Sequence, residues 1–278
     1  MYNLLIALAI AAASYAVGAI VAGAVAGIIP AVLGLTVAYF LLARRTMKQV
    51  ETVAQSAMAL LQGAQQDPSA IDKAMALIEA ALPLGKYQFL VTSQLYGQLG
   101  QLAFMKANMK QDKNRAAAKE HLTKSWSRDW LSQTILAVIL FEEKQHTEAL
   151  ERMDGARSGG ASQAIFWAVY AYIAKASGKS DVALKVLSDG LEKNKENSGL
   201  IAFRDAAANN TTLPIEAFSP QWFQFFPMHI QKLPYAEQMK LMGANAPAMS
   251  RAQRRAMKRG AEPQQQKKGK YNVPHPRR

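Results

Sequence analysis

Residues 1–43 read MYNLLIALAIAAASYAVGAIVAGAVAGIIPAVLGLTVAYFLLA and hold no Asp, Glu, Lys, Arg or His. As one straight helix, at about 1.5 Å per residue, the stretch would reach about 64 Å, roughly twice the 30 Å of hydrocarbon in a bilayer. A single span cannot use that length. The break falls at Gly27-Ile28-Ile29-Pro30, and proline is tolerated in the first turn of a new helix. The pattern predicts two membrane spans, about 3–25 and 30–46, folded as a tight hairpin. A cleaved signal peptide would need a positive start, a short apolar run and a polar mature chain after it. None of these fits, because the first basic side chain is Arg44 and the apolar run is far too long.

Arg44, Arg45 and Lys48 crowd the exit of the second span, where long basic side chains reach the membrane interface. The turn between the spans carries no charge. The positive-inside rule therefore puts the flank and everything after it in the cytoplasm, with the N-terminus returned to the same side. In a bacterium this is the inner membrane. Gly18-xxx-Ala22 and Gly23-xxx-Gly27 share a helix face, and small residues at that spacing let helix backbones approach closely. Packing within the hairpin is the first reading of that face, and a homo-oligomer the second.

Beyond the spans the pattern is helical, with short loops at Asp67-Pro68, Pro83-Leu84-Gly85 and Arg157-Ser158-Gly159-Gly160. The segment also repeats. Ala149-x3-Met153-x2-Ala156 recurs 34 residues later as Ala183-x3-Leu187-x2-Gly190, and Leu136-Ala137 recurs as Tyr170-Ala171 at the same offset. Ala74-x3-Ile78-x2-Ala81 and Ala118-x3-Leu122-x2-Ser125 carry the same spacing at irregular separation. This period and these small residues resemble the tetratricopeptide repeat (TPR), with Trp167-x2-Tyr170-Ala171 followed by Ala183, Leu187 and Gly190 as the best match. The full signature of that family is absent, and the first two units depart in length.

The resemblance implies four helix pairs, about 48–83, 86–128, 130–158 and 162–195, stacked as an α-solenoid with 197–208 as an end helix. It further implies a concave groove, lined by the first helix of each pair, that holds a peptide or a partner's helix. Carried over position by position, that face comprises Gln94, Gln101, Phe104, Thr134, Phe141, Tyr172 and Lys175.

Phe218, Trp222, Phe223, Phe225 and Phe226 then crowd a segment broken by Pro214, Pro220, Pro227 and Pro234. The first reading is a cap folded back on the last repeat, and the second an interfacial membrane contact. Tyr235 to Met242 reads as one more short helix. The tail 251–278 holds ten basic residues, Arg251, Arg254, Arg255, Lys258, Arg259, Lys267, Lys268, Lys270, Arg277 and Arg278, against Glu262. It carries +9 of the net +13. With its glutamines, glycine and prolines it reads as disordered. Anionic lipid, plain solvation and RNA are its readings in that order.

Little points to chemistry. The chain has no cysteine, which excludes disulfides, thiolate metal sites and a cysteine nucleophile. Gly178-Lys179-Ser180 lacks the first glycine and the preceding strand of a phosphate loop. Glu143-x-x-His146 has metal-pair spacing but no second copy, and His121, His229 and His275 sit at no ligand spacing. No Gly-x-Ser-x-Gly elbow occurs. The sequence therefore predicts a non-enzymatic all-α protein without cofactor. Its layout is a hairpin over 1–46, a TPR-like domain over 47–210, an aromatic cap over 211–248 and a basic tail over 249–278. The expected work is scaffolding of a protein partner at the membrane, with a lipid or ribosome/RNA tether through the tail as the alternative.

Overall fold

The computed structural model describes residues 1–62, 67, 69–109 and 115–232. The basic tail, including Arg251, Arg254, Arg255, Lys258, Arg259, Lys267, Lys268 and Lys270, lies outside the described residues, as does the helix expected at Tyr235 to Met242. Among the described residues the secondary structure is helical, with no strand. The elements are α1 (Tyr2–Ala22), α2 (Ile28–Gln62), α3 (Ser69–Ala81), a 3-10 turn at Leu82–Lys86, α4 (Val91–Met109) and α5 (Ala116–Thr123). They continue as α6 (Trp130–Glu142), α7 (His146–Gly155), the single turn α8 (Arg157–Gly160), α9 (Ala164–Ala176), α10 (Ser180–Lys193) and α11 (Ser198–Ala208). A 3-10 turn at Ile215–Phe218 and the short α12 (Trp222–Phe225) follow. Met1–Pro227 form one compact unit, so the apolar helices and the paired helices belong together.

Both α1 and α2 are long and apolar enough to cross a membrane. Their outer faces have no protein cover: Ile20 is 85%, Ile29 67% and Phe40 61% exposed. Inside the hairpin the glycines set the spacing. A Cβ on Gly27 would lie 2.9 Å from Ala19 N and Tyr15 O, and one on Gly34 would lie 2.8 Å from Ser14 Oγ. Of the small residues expected on one helix face, Gly18 and Gly27 meet across the hairpin, whereas Gly23, past the end of α1, meets nothing within 4 Å. At the open end Asn3, 3% exposed, donates from Nδ2 to Thr46 Oγ1 at 2.9 Å. Polar pairs between membrane helices are worth about 1 kcal/mol. Asn3→Ala should therefore lower the unfolding free energy of the detergent-solubilised chain by about that amount, read as a small downward shift in melting temperature.

The helix that carries the second apolar segment continues past residue 46. α2 runs unbroken to Gln62, about 52 Å at 1.5 Å per residue, and outruns α1 by about 20 Å. The reason is local: between Gly34 and Gly63 there is neither glycine nor proline. Arg44, Arg45 and Lys48 are exposed midway along a continuous rod. The far half of that rod is the first helix of the first pair. Its Val50 and Ala57 join Ile71, Ala74 and Ile78 of α3 and Val91, Leu95 and Leu99 of α4 in one buried cluster.

The turn before α3 is set by Asp67, whose Oδ1 accepts from Ser69 N at 2.9 Å and from Ser69 Oγ at 2.6 Å. Lys73 Nζ donates to its Oδ2 at 3.0 Å. The Ser69 hydroxyl bond first, then Lys73, hold the Asp67 carboxyl down at about 2 against an ordinary 3.8. The native state thus favours the carboxylate, a contribution present above pH 3.8 and lost as pH falls to about 2. Asp67→Asn should remove that part of the acid-unfolding slope and leave stability above pH 5 little changed in its pH dependence.

Four helix pairs follow in order: the end of α2 with α3, α4 with α5, α6 with α7, and α9 with α10. The recurring positions form the seams. Ala149, Met153, Ala156, Ala183 and Leu187 are each 0% exposed, as are Ala74 and Leu122, with Ala118 at 1%. A Cβ on Gly190 would lie 2.6 Å from Trp167 Cγ. α6 is central, and every residue from Ser132 to Leu140 is buried.

Candidate functional site

A depression with convergent polar groups lies where α4 faces the loop before α6. α4 starts beside α2, because Val91 packs into the cluster that holds Val50. Its Gln94, Gln98 and Gln101 recur at three and four, so they share one face of the helix. Opposite them stand Trp126, Arg128, Asp129 and Trp130, and Met47, Phe89 and Leu90 close the end nearest the apolar helices. The groove measures about 600 Å³.

Its polar groups are ordered by the α6 N-terminus. Asp129 caps that helix, and Ser132 Oγ donates to Asp129 Oδ2 at 2.5 Å. Gln101 Nε2 donates to Ser132 Oγ at 3.0 Å. Behind the wall, Gln133 Nε2 donates to Ser125 Oγ at 2.9 Å. Gly97 makes this approach feasible, since a Cβ there would lie 2.7 Å from Ser132 Oγ. One acceptor remains: Gln98 Oε1 is enclosed and has no hydrogen-bond partner among the described residues. A buried acceptor left in that condition costs about 1–3 kcal/mol.

The groove residues expected from the repeat resemblance separate into three groups. Gln94 and Gln101 line the depression. Phe104 and Thr134 are interior, at 3% and 0% exposure. The Arg115 guanidinium sits 4.6 Å above the Phe104 ring, and Thr134 Oγ1 donates to Trp130 O at 2.6 Å. Phe141, Tyr172 and Lys175 lie along the edge covered by the aromatic segment. Tyr172 meets Phe141 at 6.1 Å and Trp222 and Phe226 at 5.1 Å each between ring centroids, while Lys175 Nζ donates to Thr211 O. Burial raises the Tyr172 hydroxyl pKa above its ordinary 10.0, with the nearby Glu142 carboxylate adding to the shift.

The aromatic segment therefore folds back as a cap. Phe218, Trp222, Phe223, Phe225 and Phe226 are all buried, and Phe203 of α11 meets Phe218 at 5.2 Å and Trp222 at 5.9 Å. Trp126, Trp130, Phe89 and Gln98 complete the depression without having been singled out from the sequence. The glutamine spacing at 94, 98 and 101 was the available signal for Gln98.

The remaining chemical candidates are engaged elsewhere. Glu143 pairs with Lys119, and His146 packs on Phe141 at 5.4 Å. Among the described residues no three His, Asp or Glu side chains group to hold a metal ion. Gly178, with φ 78°, makes the turn between α9 and α10. No protein-family model matches the chain, and no curated protein matches it.

Proposed function

We propose that the chain is a membrane-anchored TPR-like scaffold that holds a protein partner, as a peptide or a helix, beside the cytoplasmic face of the bilayer. The observation that carries this reading is the groove itself, in which Gln94, Gln98 and Gln101 face Trp126 and Trp130. The exposed Gln94 side chain offers hydrogen-bonding groups to a partner backbone, and flat aromatic walls supply apolar area. Two apolar helices joined to the groove by the unbroken α2 concentrate any such partner at the membrane without high intrinsic affinity. The burial of Ala74, Ala118, Ala149 and Ala183 at equivalent places in successive helix pairs supports the repeat reading. The charge at Arg44, Arg45 and Lys48 supports the cytoplasmic orientation.

A photo-reactive residue at Gln94 should give discrete adducts in intact membranes, and one at Glu151 on α7 should not. Trp126→Ala, at a groove wall 41% exposed, should weaken the Gln94 adducts while changing thermal stability little. Equal adducts from both sites, or adducts indifferent to Trp126→Ala, would overturn the groove as the binding site. A second reading is favoured by the tail's ten basic residues against one acidic. In it the tail tethers anionic lipid or RNA. Salt-sensitive RNA or vesicle binding that vanishes on deleting 251–278 distinguishes it from the groove.

A further inference from the structure

The segment Lys86-Tyr87-Gln88-Phe89-Leu90 joins the first helix pair to α4 and is bonded to the open end of the hairpin. The Met1 amino group donates to Lys86 O, and Asn3 N donates to Tyr87 O at 3.2 Å. Gln88 Oε1 accepts from Asn3 Nδ2 at 3.4 Å, and Gln88 Nε2 donates to Tyr39 OH at 3.2 Å. Tyr2 and Tyr87 meet edge to face, with centroids 5.6 Å apart. These contacts put the segment level with residues 1–3 and with residues 39–46 of α2. That is where the uncharged stretch gives way to Arg44, Arg45 and Lys48.

A loop packed so firmly could have turned its aromatics inward, yet it does the reverse. Phe89 is 61% and Tyr87 44% exposed, and beside Phe89 in the groove mouth Met47 is 43% and Trp126 41% exposed. Leu90 holds a left-handed backbone, φ 68°, a conformation that costs a leucine about 1–2 kcal/mol. Exposed Lys86 adds to the basic side chains nearby. Exposed aromatics with a basic surround, at the ends of apolar helices, have the composition of a membrane-interface belt.

We infer that Tyr87, Phe89 and Met47 form a second membrane contact, seating the helical domain on the headgroup layer of the leaflet into which α1 and α2 insert. Phe89 enters the upper acyl region, and Arg44, Arg45, Lys48 and Lys86 meet lipid phosphates. The groove then opens toward the headgroups. This inference rests on α1 and α2 crossing the bilayer, and the test separates the two claims.

Because the chain has no cysteine, single-cysteine spin labelling needs no background removal. The full chain carrying Phe89→Cys, Tyr87→Cys, Val37→Cys or Glu151→Cys is labelled and reconstituted in vesicles of phosphatidylcholine and phosphatidylglycerol. Accessibility to oxygen is then compared with accessibility to a water-soluble nickel chelate. The oxygen-to-nickel ratio at Phe89→Cys should be several-fold above that at Glu151→Cys and below that at mid-hairpin Val37→Cys, with Tyr87→Cys between Phe89→Cys and Glu151→Cys. A ratio at both loop sites equal to that at Glu151→Cys, with Val37→Cys in lipid, overturns this inference alone. If Val37→Cys also reads as aqueous, the membrane-spanning reading falls with it.

Discussion

Trp222→Ala should cost about 3–5 kcal/mol of stability and lower the helix-melting temperature of the full chain by many degrees. Trp222 is 0% exposed. Its ring stacks on Phe226 at 5.0 Å, meets Tyr172 edge-on at 5.1 Å and reaches Phe203 at 5.9 Å. Removing it opens a cavity between α9, α11 and the returning segment, where the lost transfer energy and the void add. Ile201→Ala, at a side chain 36% exposed on α11, is the comparison and should cost less. Circular dichroism in detergent reads both. Melting of Trp222→Ala indistinguishable from the parent would mean that the aromatic segment is not part of the core.

The second large effect is expected at Gly159, in the turn α8. A Cβ there would sit 1.9 Å from Arg128 O and 3.0 Å from Arg128 C. Those atoms belong to the backbone leading into α6, so no side chain can swing away to make room. Gly159→Val forces α8 off that loop and should cost near the upper end of the 1–3 kcal/mol typical of overpacking, or more. The same move disturbs Asp129 and Trp130 in the groove, so loss of stability and loss of Gln94 cross-linking should appear together. Gly155→Ala, four residues earlier, meets nothing within 4 Å and has an ordinary backbone. It should be neutral or stabilising by up to about 1 kcal/mol, because alanine is the better helix former. Equal melting for the two variants would contradict the packing around α8.

The sequence made the helices legible and their exposed faces much less so. An uncharged stretch broken at Gly27-Ile28-Ile29-Pro30 reads directly as two apolar helices, and the break occurs between Ala22 and Ile28. The spacing of Ala149, Met153 and Ala156, and of Ala183 and Leu187, marked positions that are 0% exposed. The continuity of α2 was missed because Arg44 and Arg45 mark a change of solvent. A change of solvent does not interrupt backbone hydrogen bonding, and only glycine or proline would have done so there. Thr134 was placed on a groove by repeat offset, a rule that assumes each first helix keeps one open face. α6 keeps none over Ser132–Leu140, because α4, α7, α9 and α12 surround it. Tyr172 could not be assigned correctly without knowing that Trp222, fifty residues later, returns to cover it. The glutamine face of α4 needed its counterpart, the Trp126–Trp130 loop, before it became a groove at all.

The most direct measurement is the fate of the full chain when membranes containing it are washed with alkaline carbonate, which strips peripheral proteins. Two apolar helices seated in lipid predict that the chain stays wholly with the membrane pellet, whereas a chain lacking 1–47 is released. Release of the full chain into the supernatant would contradict the account at its foundation, because Ile20, Ile29 and Phe40 would then be left facing water.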